Sequence, residues 1–231
     1  MLSRFTMRSI FGWTNQRCQL CQLPLASHET GWCQHCLNQL PQPPYCHRCG
    51  ATTLNPTNGC GQCLTTPPPW QRLYRLGEYR PPLQQWIQNC KFSGQFWLAH
   101  QLGKQLAQHI PEPAPVLLPV PLHPRRRLWR SFNQSTALAW AIAEHTGSQV
   151  MPLGFRQIKP TQRQKQLTRR ERQRNLQHAF ALTEKNLPDH VAIVDDVVTT
   201  GSTAATLTKL LKSHGVQQID IYCVCYTPMV K

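Results

Sequence analysis

Acidic residues are scarce in this sequence: 10 aspartates and glutamates stand against 25 lysines and arginines in 231 residues. Charged residues make up only 15% of the chain, which excludes a coiled coil and a highly charged disordered chain. The longest apolar run, residues 137–143, is far shorter than the roughly 20 residues that cross a bilayer. We therefore expect a folded chain of one or two domains without a transmembrane segment.

A secretory signal is also missing from residues 1–17. This segment carries three arginines and no acidic residue, but it has no continuous apolar stretch. Disulfide frameworks belong to oxidising compartments, so we expect a cytoplasmic protein whose thiols are available for metal. The basic segment 1–17 is a weak candidate for contact with the acidic inner face of a membrane.

Positive charge is concentrated in residues 120–175, which hold 12 lysines and arginines against two glutamates. Such a block attracts the phosphates of nucleic acid, of a small molecule or of a membrane surface. A solvated basic face would have the same composition, and charge alone does not decide between them. The sequence also leaves open which of Arg125, Arg126, Arg127 and Arg130 face a binding site.

Eight of the 11 cysteines form four CxxC pairs in the first 66 residues, with 9 to 11 residues between successive pairs. Two such pairs complete the four-thiolate shell of structural zinc, so the spacing predicts two zinc ions. Sequential grouping closes the shorter loops and is favoured, while an interleaved arrangement stays open. The spacing also leaves three other interpretations open: disulfide bonds, an iron–sulfur cluster, or a site that has lost its ligands. The predicted ligands are Cys18, Cys21, Cys33 and Cys36 for one site and Cys46, Cys49, Cys60 and Cys63 for the other.

A run of prolines at residues 67–69 separates this cysteine-rich region from periodic segments. Apolar residues recur at helical spacing in 83–90 and 98–110, and short apolar runs typical of buried strands occupy 116–120 and 191–194. A helix is expected at 203–214 and a strand at 219–226. The pattern predicts a basic segment (1–17), a cysteine-rich module (18–66) and an α/β domain (67–231) around a largely parallel sheet.

The most informative stretch begins with Asp195 and Asp196 directly after the apolar run 191–194. The residues that follow are rich in hydroxyl groups and precede the expected helix, where free amides and the helix dipole favour a phosphate. Paired carboxylates can accept hydrogen bonds from vicinal hydroxyls or help to position Mg²⁺. An acid pair beside such a loop predicts a sugar-phosphate site rather than a strand end and a helix cap. The loop residues are Thr199, Thr200, Gly201, Ser202 and Thr203.

This stretch resembles the phosphoribosyl-pyrophosphate motif of type I phosphoribosyltransferases, and three further segments resemble the ComF (GntX) family. The first is residues 119–123, together with the arginines and the Phe-Asn-Gln that follow them. The second is the set Thr161, Gln164, Leu167, Arg172 and Asn175, and the third is the pair Lys91-Phe92. The likeness extends from residue 18 to the end. One departure is Ser131, which stands where the family commonly has glycine.

The resemblance implies a type I phosphoribosyltransferase-like fold after a double zinc-ribbon-like module. It implies that phosphoribosyl pyrophosphate binds with magnesium, its 5′-phosphate on the loop, its ribose on the acids and its pyrophosphate near Val120, Pro121, Leu122 and His123. Arg172 would join the two acids as a catalytic residue in a closing loop, or lie in a disordered basic linker. No segment identifies the acceptor.

The resemblance leaves two functions open. One is a phosphoribosyltransferase with an unknown acceptor that is involved in the uptake or use of extracellular DNA. The other is a non-catalytic accessory protein that binds single-stranded DNA, works with the DNA-uptake machinery and keeps the sugar-phosphate pocket for sensing or scaffolding.

Overall fold

Strands and helices alternate along most of the chain in this computed structural model, which describes residues 16–29, 31–122, 132–158, 179–184 and 186–227. The strands are β1 (Arg72–Glu78), β2 (Val116–Pro119), β3 (Gln149–Val150), β4 (Phe155–Gln157), β5 (Phe180–Leu182), β6 (His190–Val198) and β7 (Gln218–Tyr226). The helices are α1 (Gln34–Asn38), α2 (Gly61–Thr65), α3 (Leu83–Phe92), α4 (Trp97–Ala107), α5 (Gln134–Thr146) and α6 (Ser202–Ser213).

Five strands form one sheet in the order β1-β7-β6-β2-β3, and every neighbouring pair is parallel. β4 and β5 form a separate antiparallel pair. The central strands β6 and β7 are rich in β-branched and apolar residues and are largely buried, as expected for strands with a neighbour on each side. The α/β fold with a parallel sheet is therefore confirmed.

Strands β6 and β1 both differ from the sequence prediction. We expected the buried strand to end at residue 194, before the two acids, but β6 continues through both acids to Val198 because the ladder with β7 extends to the pair Val198–Tyr226. β1 was not predicted at all, since Arg72, Arg75 and Glu78 interrupt its apolar pattern.

In the hydrophobic core, alternate residues of the strands pack against α6. Val191 and Ile193 of β6 belong to one buried cluster with Leu207 and Leu211 of α6. Helices α4 and α5 pack against each other, and Gly103 permits their close approach because a Cβ at that position would lie 2.9 Å from the carbonyl oxygen of Leu138.

The chain separates into two compact units, residues 1–40 and 41–231. The second cysteine cluster lies in the same unit as the sheet, where its segment covers the outer edge of β1. The carbonyl oxygen of His47 accepts a hydrogen bond from the backbone N–H of Leu73 (2.6 Å), and that of Pro41 accepts one from the N–H of Glu78 (2.8 Å). The boundaries expected at residues 17/18 and 66/67 stay predictions.

None of the helices in the described ranges is long and apolar enough to span a bilayer.

Candidate functional site

The acid pair lies near the carboxyl end of β6, beside the end of β2. Asp195 is half-buried and accepts a hydrogen bond at Oδ1 from the hydroxyl of Ser135 (3.2 Å), at the start of α5. The same oxygen accepts the backbone N–H of Asp196 (2.9 Å). Burial, followed by the negative charge of Asp196, raises the pKa of Asp195 to about 7. Asp195 thus changes charge near neutral pH.

Asp196 is buried and forms an ion pair with the ammonium group of Lys91, in the last turn of α3. Its Oδ1 also accepts the backbone N–H of Val197 (3.0 Å). This ion pair places a positively charged side chain beside the two acids. Asp196 therefore has a cation as its partner, whereas Asp195 has a hydroxyl group. The family resemblance includes Lys91, but the sequence did not reveal it as a site residue, nor did it reveal Ser135.

The segment Val120, Pro121 and Leu122 directly follows β2 and is half-buried. The backbone N–H of Val120 donates to the carbonyl oxygen of Val194 (2.9 Å), the residue before the acid pair. The side chain of Asn133 donates to the carbonyl oxygen of Val120 (3.0 Å) and also accepts the N–H of Ser135, which caps α5. The expected pyrophosphate segment therefore lies next to the acids.

The hydroxyl-rich loop runs from the end of β6 into α6. Gly201 adopts a left-handed conformation (φ 70°) immediately before the helix, and no side-chain hydrogen bond caps the first turn. Thr199 and Thr200 are exposed, and the hydroxyl groups of Thr200 and Ser202 lie 2.7 Å apart. Together with Thr203, this loop presents hydroxyls and helix amides in the arrangement that suits a phosphate.

The indole ring of Trp70 packs against this loop at Gly201. A Cβ added at Gly201 would lie 2.9 Å from Cη2 of Trp70, so the indole ring packs against the glycine. The indole N–H donates to the carbonyl oxygen of Arg48 (2.8 Å), which stands between Cys46 and Cys49. A cleft of about 270 Å³ adjoins the loop and is lined by residues of both regions. The loop and the second cysteine cluster thus share one supporting side chain.

The eight cysteines form two clusters in which the sulfur atoms lie within 4.8 Å of one another. The groups are Cys18, Cys21, Cys33 and Cys36, and Cys46, Cys49, Cys60 and Cys63, which confirms the sequential arrangement. The Sγ–Sγ distances include 3.8 Å for Cys18–Cys36, 3.7 Å for Cys21–Cys33, 3.8 Å for Cys46–Cys63 and 3.6 Å for Cys49–Cys60. A tetrahedron with Zn–S bonds of about 2.3 Å has edges of about 3.8 Å, so both clusters have the dimensions of a zinc site.

Several predicted residues lie outside the described ranges. They are His123 of the pyrophosphate segment, the catalytic candidate Arg172, the four arginines Arg125, Arg126, Arg127 and Arg130, Ser131, and the family positions Thr161, Gln164, Leu167 and Asn175. The predicted residues that the structure does bring to one edge of the sheet are the two acids, the hydroxyl-rich loop and residues 120–122.

Comparison with known proteins points to one family. A model of the phosphoribosyl transferase domain matches residues 153–229. The DNA utilization protein YhgH of Salmonella typhi is 36% identical over 220 residues, covering 91% of this chain and 96% of that protein. YhgH of Escherichia coli strain K12 is 36% identical over 219 residues with the same coverage. Competence protein F of Haemophilus influenzae is 32% identical over 219 residues, covering 90% of this chain and 96% of its own length.

Among solved structures, the glutamine phosphoribosylpyrophosphate amidotransferase from B. subtilis, complexed with ADP and GMP, is 23% identical with a TM-score of 0.39. The match covers 54% of this chain and 25% of that one. A likeness at this level carries no argument.

Proposed function

The chain belongs to the family of the DNA utilization protein YhgH and competence protein F, with a phosphoribosyl transferase domain, and from this premise we propose that it binds phosphoribosyl pyrophosphate with magnesium. The observation that carries the proposal is the acid pair on β6, which leads directly into a hydroxyl-rich loop at the amino end of α6. One strand and its turn thus supply acceptors for sugar hydroxyls and donors for a phosphate.

In this proposal the loop of residues 199–203 binds the 5′-phosphate through its hydroxyls and the free amides of α6. Asp195 and Asp196 accept hydrogen bonds from the ribose hydroxyls. The same carboxylate oxygens are ligands of the kind that Mg²⁺ prefers, so they would hold the ion, which would neutralise part of the pyrophosphate charge. Lys91 holds Asp196 in place and adds positive charge at the same edge.

The proposed reaction is phosphoribosyl transfer to an acceptor that is not yet identified. The bond from C1′ to the pyrophosphate oxygen breaks, pyrophosphate leaves with the electron pair, and a bond from C1′ to the acceptor forms. Residues 120–123 and the catalytic candidate Arg172 would stabilise the leaving group, because donors aimed at developing negative charge lower the barrier.

Each cysteine cluster would bind one structural zinc ion. The fit rests on the four sulfur atoms of each cluster, whose spacing suits a tetrahedral shell. A shell of four thiolates leaves no position for water or substrate, so both ions would stabilise their units rather than take part in the transfer.

The test is thermal unfolding with and without phosphoribosyl pyrophosphate and Mg²⁺. A ligand at about 100 times its Kd stabilises the native state by about 2.7 kcal/mol, which raises the melting temperature. The Asp195→Asn/Asp196→Asn variant should lose this shift, whereas Asp189→Asn, an exposed acid just before β6, should keep it. An equal shift in the double variant and wild type would refute the site, and no shift in wild type would refute the ligand.

A second candidate function is a non-catalytic accessory protein that binds single-stranded DNA and meets the DNA-uptake machinery. The names of the relatives and the formal net charge of +15 favour it. Its affinity for oligothymidylate should fall steeply as salt rises, because the bound phosphates release counterions. Negligible affinity at low salt would exclude this function.

A further inference from the structure

The turn of residues 46–49 in the second cysteine cluster, here called the knuckle, holds the segment that leads into β1. The contact is made by Arg48. Its carbonyl oxygen accepts the indole N–H of Trp70 (2.8 Å). Its guanidinium group donates to the carbonyl oxygens of Pro68 (3.3 Å) and Gln71 (3.1 Å). One residue of the knuckle thus fixes the segment at three points.

The knuckle also packs against the strands that carry the candidate site. Gly50, the residue that follows it, has a left-handed conformation (φ 84°). A Cβ at this glycine would lie 2.8 Å from Cδ2 of Leu73 in β1 and 3.0 Å from Cδ2 of Tyr226 in β7. Tyr226 lies opposite Val198, the last residue of β6, in the parallel ladder. The knuckle therefore supports the strand end from which the hydroxyl-rich loop starts.

Trp70 extends this contact to the loop itself. It is buried, with 5% of its surface exposed, and its indole ring packs against Gly201. The carbonyl oxygen of Gly201 accepts the N–H of Ala205 (2.8 Å) in the first turn of α6. The position of the indole ring thus influences the position of the free amides of that turn. The cleft beside the loop is lined by Cys49 of the cluster and by residues 199–202 of the loop.

The segment that carries the knuckle has little regular structure to hold its conformation. Residues 46–66 contain the five-residue helix α2 and the isolated bridge between Cys46 and Thr57. The two leucines of this segment, Leu54 and Leu64, are exposed, so little apolar surface is buried within it. In such segments the free energy of metal binding is what orders the chain. Loss of the ion would therefore loosen the hold of the knuckle on Trp70.

We propose that metal at the second cluster and phosphoribosyl pyrophosphate at the loop bind with positive coupling, and that Trp70 is the positioning residue that couples them. The inference rests on the proposed function, since it concerns the loop that would bind the 5′-phosphate. With the ion bound, the knuckle holds the indole ring against Gly201 and the free amides of α6 are in place. Without the ion, only a fraction of the molecules have an ordered loop, and the affinity for the sugar phosphate falls accordingly.

The coupling is reciprocal, so phosphoribosyl pyrophosphate must raise the zinc affinity of the second cluster by the same factor. This affinity is measured by competition with a chromophoric chelator in the Cys21→Ser variant, which lacks one thiol of the first cluster. We expect saturating phosphoribosyl pyrophosphate with Mg²⁺ to raise it at least about fivefold. In the same background, Asp195→Asn/Asp196→Asn should abolish the effect, which controls for zinc bound by the free ligand.

The Trp70→Phe variant separates positioning from a general effect of folding. It keeps the thiols and an aromatic ring but loses the indole N–H that bonds to Arg48 and the ring atom next to Gly201. In the Cys21→Ser background it should still bind one zinc ion, whose affinity the ligand should no longer change. Trp140→Phe replaces an exposed indole on α5 and should retain the full coupling.

A second variant, Arg48→Ala, keeps Trp70 and removes the two guanidinium bonds to the segment before β1. It should weaken the coupling, and it keeps the proposal testable if Trp70→Phe fails to fold. Undiminished coupling in every folded variant of the two would overturn the proposal, because the coupling would then arise from the folding of the whole unit.

Calorimetric titration of the zinc-loaded wild type with phosphoribosyl pyrophosphate and Mg²⁺ separates this inference from the proposed function. Absence of binding refutes the proposed function and, with it, the coupling. Binding without a change in zinc affinity refutes the coupling alone and leaves the sugar-phosphate site in place.

Discussion

Substitution of Gly201 by alanine should destabilise the protein for two separable reasons. Alanine in the left-handed conformation at φ 70° costs about 1–2 kcal/mol. The new Cβ would also lie 2.9 Å from Cη2 of Trp70, and forcing such a contact in a packed region costs about 1–3 kcal/mol. The total expected loss in the free energy of unfolding is therefore about 2–5 kcal/mol.

The chain offers a matched control for the conformational part. Gly147 has nearly the same φ, 73°, but a Cβ there would have no atom within 4 Å. Gly147→Ala should thus cost only about 1–2 kcal/mol. In a Trp70→Leu background the contact disappears, so the additional cost of Gly201→Ala should fall to that same value.

Urea denaturation monitored by circular dichroism, at fixed zinc, measures these differences. Each kcal/mol should also lower the melting temperature by about 2–4 °C in a chain of this size. The reasoning is refuted if Gly201→Ala costs no more than Gly147→Ala in the wild-type background. It is equally refuted if Trp70→Leu leaves the cost of Gly201→Ala unchanged.

Three further predictions concern the acids and the cysteines. Lys91→Gln should lower the free energy of unfolding by roughly 1–3 kcal/mol because it leaves Asp196 buried without its cation. Adding Asp196→Asn should recover part of this loss. An unchanged urea midpoint in the single variant would contradict the prediction. The pKa of Asp195 is raised to about 7 in the folded protein, whereas its unfolded pKa lies near 4. Its contribution to stability is therefore present below about pH 4 and is lost as the pH rises to about 7. The difference in unfolding free energy between wild type and Asp195→Asn should change across that pH window and not above it. Elemental analysis should find two zinc ions per chain, and one in either Cys21→Ser or Cys49→Ser; two in either variant would exclude the assigned shells.

The features that short-range spacing determines could be predicted from the sequence. Two residues between thiols allow both sulfurs to approach one ion, and short intervals favour sequential grouping, so both cysteine clusters were predicted as the structure has them. The helix α6 was predicted to within one residue, because its apolar residues recur at helical spacing and Gly215 follows it.

Features that depend on distant contacts could not be predicted. β1 has charged residues on a buried strand, and Arg75 is accommodated there between the rings of Tyr45 and Tyr226, which no local pattern reveals. The pairing of Lys91 with Asp196 joins residues more than 100 positions apart. The continuation of β6 through its acids depends on hydrogen bonds to β7 rather than on side-chain type.

The hydrogen bonds that His47 and Pro41 accept from β1 give the second cysteine segment a protective role in addition to metal binding. An uncovered outer strand offers its backbone groups to other chains and promotes aggregation. A fragment cut at the proline run would uncover that strand and would also leave the indole N–H of Trp70 without the carbonyl of Arg48. The shortest fragment suited to crystallisation or binding work therefore starts at Pro41, where the compact unit begins.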